Sequence, residues 1–236
     1  MFALWAIIIF IPTLLVVVIP IWLTNFIKEP AGTELFRKIS AAWMRVFLTL
    51  SGCPLYIKGR KQFKKGETYI VICNHNSLMD VPVSTPFIPG PNKTIAKASM
   101  AKIPFFGIIY KRGSILVDRN SEESRKNSFN KMKEVLRQHI HMCIYPEGTR
   151  NKTAQPLKSF YDGAFKLATE TKTPIIPAII FNTKKVLPQD KSFYFMPHRL
   201  EMHFLPPVYI SNDMKTAELR DLLFNMMTDY YTSHAR

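Results

Sequence analysis

What the start of this sequence lacks is charge. Residues 1–27, MFALWAIIIFIPTLLVVVIPIWLTNFI, hold no Asp, Glu, Lys or Arg. A run of that length can cross a hydrocarbon layer of about 30 Å as a helix. No basic leader and no small-residue cleavage pattern precedes it, so a removed secretory signal is not expected. Pro12 and Pro20 predict kinks, and a kinked helix dipping into one leaflet fits the pattern as well as a straight span. Cysteine is scarce as well. Cys53, Cys73 and Cys143 are odd in number and contain no C-x-x-C, which excludes a disulfide scaffold or a structural zinc site and fits a reducing compartment. Acidic residues are few, 17 against 32 Lys and Arg, for a net charge of +15. No recognition-helix, zinc-finger or RNA-binding signature accompanies that charge, so no nucleic-acid partner is expected. There is no G-x-S-x-G turn, which removes the nucleophile an α/β hydrolase would use. There is no internal repeat and no low-complexity tract.

What is present is an uncharged segment followed by basic residues. Lys28, Arg37, Lys38, Arg45, Lys58, Arg60, Lys61, Lys64 and Lys65 follow the apolar run. Positive charge beside a membrane segment predicts the cytoplasmic face and attraction to anionic lipid. Residues 33–51 read as an amphipathic helix, with Phe36, Ile39, Trp43, Phe47 and Leu50 at three- and four-residue spacing. The spacing suits a membrane surface or packing on the domain equally. We read residues 1–52 as membrane-inserting or membrane-surface helices and 53–236 as one domain.

In that domain strands and helices alternate. PLYIKG, TYIVICN, KTIA, SILV, MCIY, PIIPAII and EMHFLPPVYI read as strands. Residues 121–139 read as a helix opened by Asn120 with Glu123, with Phe129, Met132, Val135, Leu136 and His139 on its inner face. Residues 214–231 read as another, with Leu219, Leu222, Leu223 and Met226 inward. The expected fold is α/β, a mixed and largely parallel sheet flanked by helices.

Two strands end in polar turns of unusual chemistry. VICNHNSLMD, residues 71–80, breaks from an apolar run into His75, with Asp80 five residues on. Five-residue spacing brings the two together neither on a helix nor on a strand, so the chain must turn between them. Asn76 and Ser77 supply turn and cap chemistry, and a helix is expected to start near Ser77. A carboxylate beside an imidazole fixes its tautomer and supports proton acceptance. MCIYPEGTR, residues 142–150, repeats the grammar. Gly148 permits a tight turn, Thr149 and the backbone amides suit an anion, and Arg150 offers a planar fork for phosphate. In an open α/β sheet both turns lie outside the carboxyl ends of the strands, where ligands bind. Cys73, sharing a strand face with His75, is a conceivable nucleophile, though small buried cysteines are common in apolar strands. His139 and His141 are spaced like a metal pair on a strand but have no acidic partner, so helix-end histidines and no metal are expected.

N-H-N-S-L-M-D and P-E-G-T-R resemble the first and third motifs of the glycerolipid acyltransferase family, closest to its 1-acylglycerol-3-phosphate (lysophosphatidic acid) branch. Gly113-Ser114-Ile115-Leu116-Val117-Asp118-Arg119 resembles the second motif and Thr173-Pro174-Ile175-Ile176-Pro177-Ala178 the fourth. Lys97 to Met100 and Ile103 to Gly107 resemble the segment before the second. The resemblance covers about residues 54 to 210. It departs at Phe160-Tyr161-Asp162-Gly163, where the family often has F-K-x-G and here the lysine is displaced to Lys158. The resemblance implies acyl transfer from a thioester, acyl-coenzyme A or acyl carrier protein, to a lysophospholipid hydroxyl, with no cofactor. His75 would be the general base and Asp80 its orienting carboxylate. Arg150, Lys97 and Arg119 would meet the phosphate, Glu147 would hold a cation or a hydroxyl, and Gly148 and Thr149 would complete the turn. Backbone amides near the first motif would stabilise the oxyanion, and residues 104–110 would line either the acyl path or the core. The implied partners are membrane lipid, the lysophospholipid acceptor and the acyl donor, at the cytoplasmic face of a membrane. Another lysophospholipid, an aminolipid acceptor, or a non-catalytic lipid-binding tether are the alternatives.

Overall fold

A computed structural model describes residues 1–234. Helices α1 (Phe2–Leu23) and α2 (Ala31–Leu50) form an antiparallel hairpin. The chain continues through β1 (Leu55–Lys58), β2 (Ile70–Cys73), α3 (Asp80–Ser84), β3 (Asn92–Lys97), α4 (Phe106–Gly113), β4 (Ser114–Val117), α5 (Glu122–Arg137) and β5 (His141–Ile144). It ends with α6 (Gly163–Thr171), β6 (Ile175–Phe181), α7 (Thr183–Val186), β7 (Leu200–Phe204) and α8 (Thr216–His234). The seven strands form one sheet in the order β1-β7-β6-β2-β5-β3-β4. Only β6 and β7 pair antiparallel, so the sheet is mixed and largely parallel, as the alternation of elements implies.

The strand period of two sorts the core into two layers. Val71, Cys73, Cys143, Ile176, Ala178 and Ile180 face α1, α2 and α3. Ile70, Ile72, Met142, Ile144, Ile175 and Ile179 face α5, α6 and α8. The central strands are apolar on both faces because both are covered.

Several local expectations shift. α5 is capped by Ser121, whose hydroxyl accepts from the Ser124 amide at 3.1 Å, rather than by Asn120. His139 lies beyond the helix at φ 58° instead of on its inner face. His141 opens β5, buried, with Nδ1 accepting from the Tyr69 amide at 3.0 Å; burial lowers its pKa to about 4, so it is a neutral core histidine. Leu50 and Leu222 point outward, at 52% and 46% exposure. Met227, rather than Met226, completes the buried face of α8. Among the described residues no group of three His, Cys, Asp or Glu side chains could hold a metal.

The hairpin is held from three directions. Trp5 Nε1 donates to the Leu50 carbonyl and Trp43 Nε1 to Thr13 Oγ1, each at 2.9 Å, tying α1 to α2. At the turn, Arg112 from the end of α4 is 5% exposed. It donates to Glu29 at 2.8 Å, Thr24 at 2.9 Å and Thr33 at 3.1 Å. Lys93 lies 3.2 Å from the same carboxylate. The outer side of α1 remains bare: Leu4, Ile8, Ile11, Val16, Ile19 and Trp22 are all exposed. α1 is long and apolar enough to cross a membrane, with Pro12 and Pro20 inside a continuous helix.

The clasp has a pH signature. Burial works to raise the Glu29 pKa, but Arg112, Thr33 and Lys93 outweigh it and bring the group down to about 2. A carboxyl depressed on folding adds stability above its ordinary range, and that stability is lost as pH falls towards the folded value. All three tryptophans, Trp5, Trp22 and Trp43, lie in the hairpin. Tryptophan fluorescence followed from pH 5 to pH 2 should therefore report loosening of the hairpin as about one proton is taken up, and Glu29→Gln should remove that transition.

Candidate active site

β2 and β5 are parallel neighbours, and β6 lies parallel on the other side of β2. The turns that leave these strands therefore collect at one edge. Asn74 fixes the first turn. Its Nδ2 donates to the Ile180 carbonyl at 2.9 Å and its Oδ1 accepts from the Ile180 amide at 2.7 Å.

Past Asn74 the chain wraps around one carboxylate. Asp80 is the first residue of α3 and fully buried. Its Oδ2 accepts from His75 Nδ1 at 2.7 Å, the Asn76 amide at 2.5 Å and the Ser77 amide at 2.7 Å, and its Oδ1 accepts from Thr183 Oγ1 at 2.5 Å. A carboxylate only accepts, so Nδ1 carries the imidazole proton and Nε2 keeps a free lone pair. The ring is 18% exposed and lies 4.5 Å, centroid to centroid, from the Tyr145 ring. Among the described residues Nε2 has no hydrogen-bond partner.

Glu147 differs from the cation or substrate contact expected of it. It is fully buried, with Oε1 accepting from the His75 amide at 2.7 Å and Oε2 from the Lys158 amide at 2.9 Å. Both oxygens are committed to backbone, so Glu147 braces the histidine from behind. The oxyanion expectation narrows. The amides of His75, Asn76, Ser77 and Met79 all donate to side chains within the site.

The remaining expected residues separate into braces and free cations. Gly148 turns at φ 67°, and a Cβ there would meet the Tyr161 ring at 2.7 Å, so the turn requires glycine. Arg119 donates to the Gly148 carbonyl. Lys158, the displaced lysine, donates from Nζ to Thr149 Oγ1 at 3.0 Å. Arg150 is half-buried and has no hydrogen-bond or ion-pair partner among the described residues. Lys97 ends β3 beside β5 and is exposed. Among the expected site residues, these two are the cations with no described partner. Cys73 is fully buried, its Sγ 4.0 Å from that of Cys143. That neighbour and burial push its pKa well above the ordinary thiol range, which disfavours a cysteine nucleophile.

A cavity of about 570 Å³ opens between the hairpin and the domain. Leu78 and Met79, which follow the histidine in the first motif, form part of its wall; Phe106, Ile109 and Tyr110 of α4 and Trp43 of α2 continue it. The lining is almost wholly apolar, as in lipid-sized pockets. Residues 104–110 contribute to it only in part, because α1 and α2 supply much of the wall. Thr183, Asn151 and Gln189 carry no spacing signal in the sequence, and Asn74 is legible there as the start of the first motif but not as the residue that ties it to β6. Asn151 donates its amide to the His75 carbonyl at 2.6 Å.

Residues 55–181 match the family model described as acyltransferase. A 1-acyl-sn-glycerol-3-phosphate acyltransferase of Borreliella burgdorferi is 32% identical over 143 residues, 60% of this chain and 57% of that protein. One from Helicobacter pylori is 33% identical over 59% of this chain and 58% of its own length, and one from Cocos nucifera 32% over 59% and 45%. The match thus spans about half the length of these relatives. The crystal structure of a 1-acyl-sn-glycerophosphate (LPA) acyltransferase from Thermotoga maritima superposes with a TM-score of 0.83 over 98% of this chain and 94% of that one, at 20% identity, and so shares the fold.

Burial raises the Glu147 pKa to about 7, opposed by the two backbone hydrogen bonds and assisted by the Asp80 charge. Between its ordinary value and about 7 the folded protein then holds a proton the unfolded chain has released, so this group makes stability fall as pH rises through that window. Urea unfolding between pH 5 and pH 7 should show a less negative slope in Glu147→Gln, by up to about 1.4 kcal/mol per pH unit.

Proposed function

We propose that this chain, which belongs to the acyltransferase family, moves a fatty acyl group from a thioester to the free hydroxyl of lysophosphatidic acid, giving phosphatidic acid. The observation that carries the reading is the orientation of His75: Nδ1 is held by a buried carboxylate, Nε2 is left without a partner, and Leu78 and Met79 of the same turn wall an apolar cavity. An alcohol is a poor nucleophile at neutral pH. In this reading Nε2 takes the hydroxyl proton as the oxygen attacks the thioester carbonyl. The new C–O bond forms, the C–S bond breaks, and the imidazolium returns its proton to the departing thiolate. Asp80 stabilises the imidazolium without taking the proton. No serine of the protein is needed, because the acceptor supplies the hydroxyl.

The phosphate of the acceptor is met by Arg150 and Lys97, the free cations at the same edge. Gly148, Thr149, Arg119 and Glu147 contribute by holding the turn that carries Arg150. The acyl chain lies in the cavity between α4 and the hairpin. The bare outer side of α1 enters the lipid, and the basic residues after it favour the cytoplasmic face. The donor is acyl-coenzyme A or acyl-loaded carrier protein, both negatively charged and both suited to the positive chain.

The test is transfer of a labelled acyl group by purified protein, with each donor in turn. Lysophosphatidylcholine and glycerol 3-phosphate serve as competing acceptors. Phosphatidic acid should be the product, and His75→Ala should lower kcat by a factor of roughly 100 to 10,000. Full activity in His75→Ala would overturn the mechanism; turnover only with another acceptor would overturn the substrate. Arg150→Ala should raise KM for lysophosphatidic acid roughly 10- to 100-fold. Its effect on lysophosphatidylcholine, whose phosphate carries less charge, should be smaller.

A further inference from the structure

Between α7 and β7, residues 187–199 form a loop with no regular structure. The loop touches two things at once. Leu187, Phe193, Tyr194 and Phe195 wall the apolar cavity. Ser77 Oγ donates to the Leu187 carbonyl at 2.7 Å, which joins the loop to the first-motif turn.

Gln189 makes the second connection. Its Nε2 donates to the Asn76 carbonyl at 2.8 Å and to the Asn151 carbonyl at 3.1 Å. Asn76 follows the histidine, and Asn151 follows Arg150. The orientation of the amide is settled by chemistry, because only the NH₂ end can donate to two carbonyls. The other end is left without a protein partner: Gln189 Oε1 is buried and unbonded. Leaving such an acceptor unmade is unfavourable. The side chain therefore sits where its two donors are used, at the expense of its acceptor. The backbone it clamps is the backbone that aims the histidine. The Asn151 amide donates to His75 O, and the His75 amide donates to Glu147. Gln189 closes this ring from a third element that neither turn contains.

We infer that Gln189 is a positioning residue for acyl transfer, clamping the His75 turn to the Arg150 turn from a loop that walls the acyl cavity, so that seating of the acyl chain sets the alignment of the base. The inference rests on the acyl-transfer reading above. Without the clamp, His75 and Arg150 are both present, but the wall keeps a looser hold on the histidine turn, through Ser77 Oγ and the Leu187 carbonyl. Misplacement of a base by about 1 Å can cost about 100-fold in rate.

The experiment compares wild type, Gln189→Glu and Gln189→Lys with palmitoyl and decanoyl coenzyme A, or the carrier-protein forms if those are the donors. The glutamate keeps the shape but has no donors; the lysine restores donors. Gln189→Glu should lower kcat about 100-fold with KM for lysophosphatidic acid unchanged, and its kcat ratio between the two acyl chains should move towards one. Amide hydrogen exchange at Asn151 should quicken in the same variant. Gln189→Lys should recover most of kcat, the chain-length ratio and the slow exchange. Three results would overturn the inference: a glutamate variant with wild-type kcat and ratio, equal losses in both variants, or unchanged exchange at Asn151. Wild-type protein that transfers nothing from either donor would instead overturn the acyl-transfer reading, and the inference with it.

Discussion

Everything at this site hangs on one buried carboxylate. Asp80 accepts hydrogen bonds from His75, Asn76, Ser77 and Thr183, and no part of it is exposed. A buried charge is tolerated only when it is fully bonded, so this arrangement is close to all-or-none. The two amides belong to the turn between the histidine and the aspartate. The carboxylate thus shapes the loop that presents its own partner. Thr183 extends the knot to the end of β6, which ties it to a third strand end. The same bonds that satisfy Asp80 choose the tautomer of His75 and leave its outer nitrogen unoccupied.

The sequence was most informative where chemistry is local. His75 to Asp80 and Tyr145 to Thr149 each turn on hydrogen bonds within five residues, and turn residues with apolar flanks announce them. The sheet was legible for a similar reason: alternating apolar strands and amphipathic helices leave few other ways to bury both faces. Long-range polar contacts were not legible. Thr183 meets Asp80 across more than a hundred positions, and Gln189 meets Asn76 across a comparable distance. No periodicity marks either. Glu147 was recognised as special but given the wrong work, because a carboxylate beside glycine in a turn reads equally as a ligand or as a backbone brace. Only its complete burial separates the two. Arg112 was missed because an arginine among Lys111 and the helix end reads as solvated, whereas its partners lie in the hairpin.

The hairpin gives the domain something the sheet alone lacks. β2 and its neighbours end in polar turns, and the lipid substrate proposed above needs an apolar wall beside them. α1, α2 and α4 provide that wall by packing on one sheet face while leaving a cavity against α3. The Arg112–Glu29 clasp fixes the hairpin turn on the domain, so apolar packing and one ion cluster together hold the wall in position. Bare apolar surface on α1, an apolar cavity and a polar edge together suit the substrate proposed above, which has a lipid tail and a charged head.

The claim beneath this account is that Asp80 fixes His75 with its proton on Nδ1 and a free lone pair on Nε2. Nitrogen-15 NMR of the imidazole ring reads this directly, with the His75 resonances assigned by their loss in His75→Gln. In the neutral ring, the account predicts a protonated Nδ1 and an unprotonated Nε2. A proton on Nε2 in that form, or rapid exchange between the two tautomers, would contradict it.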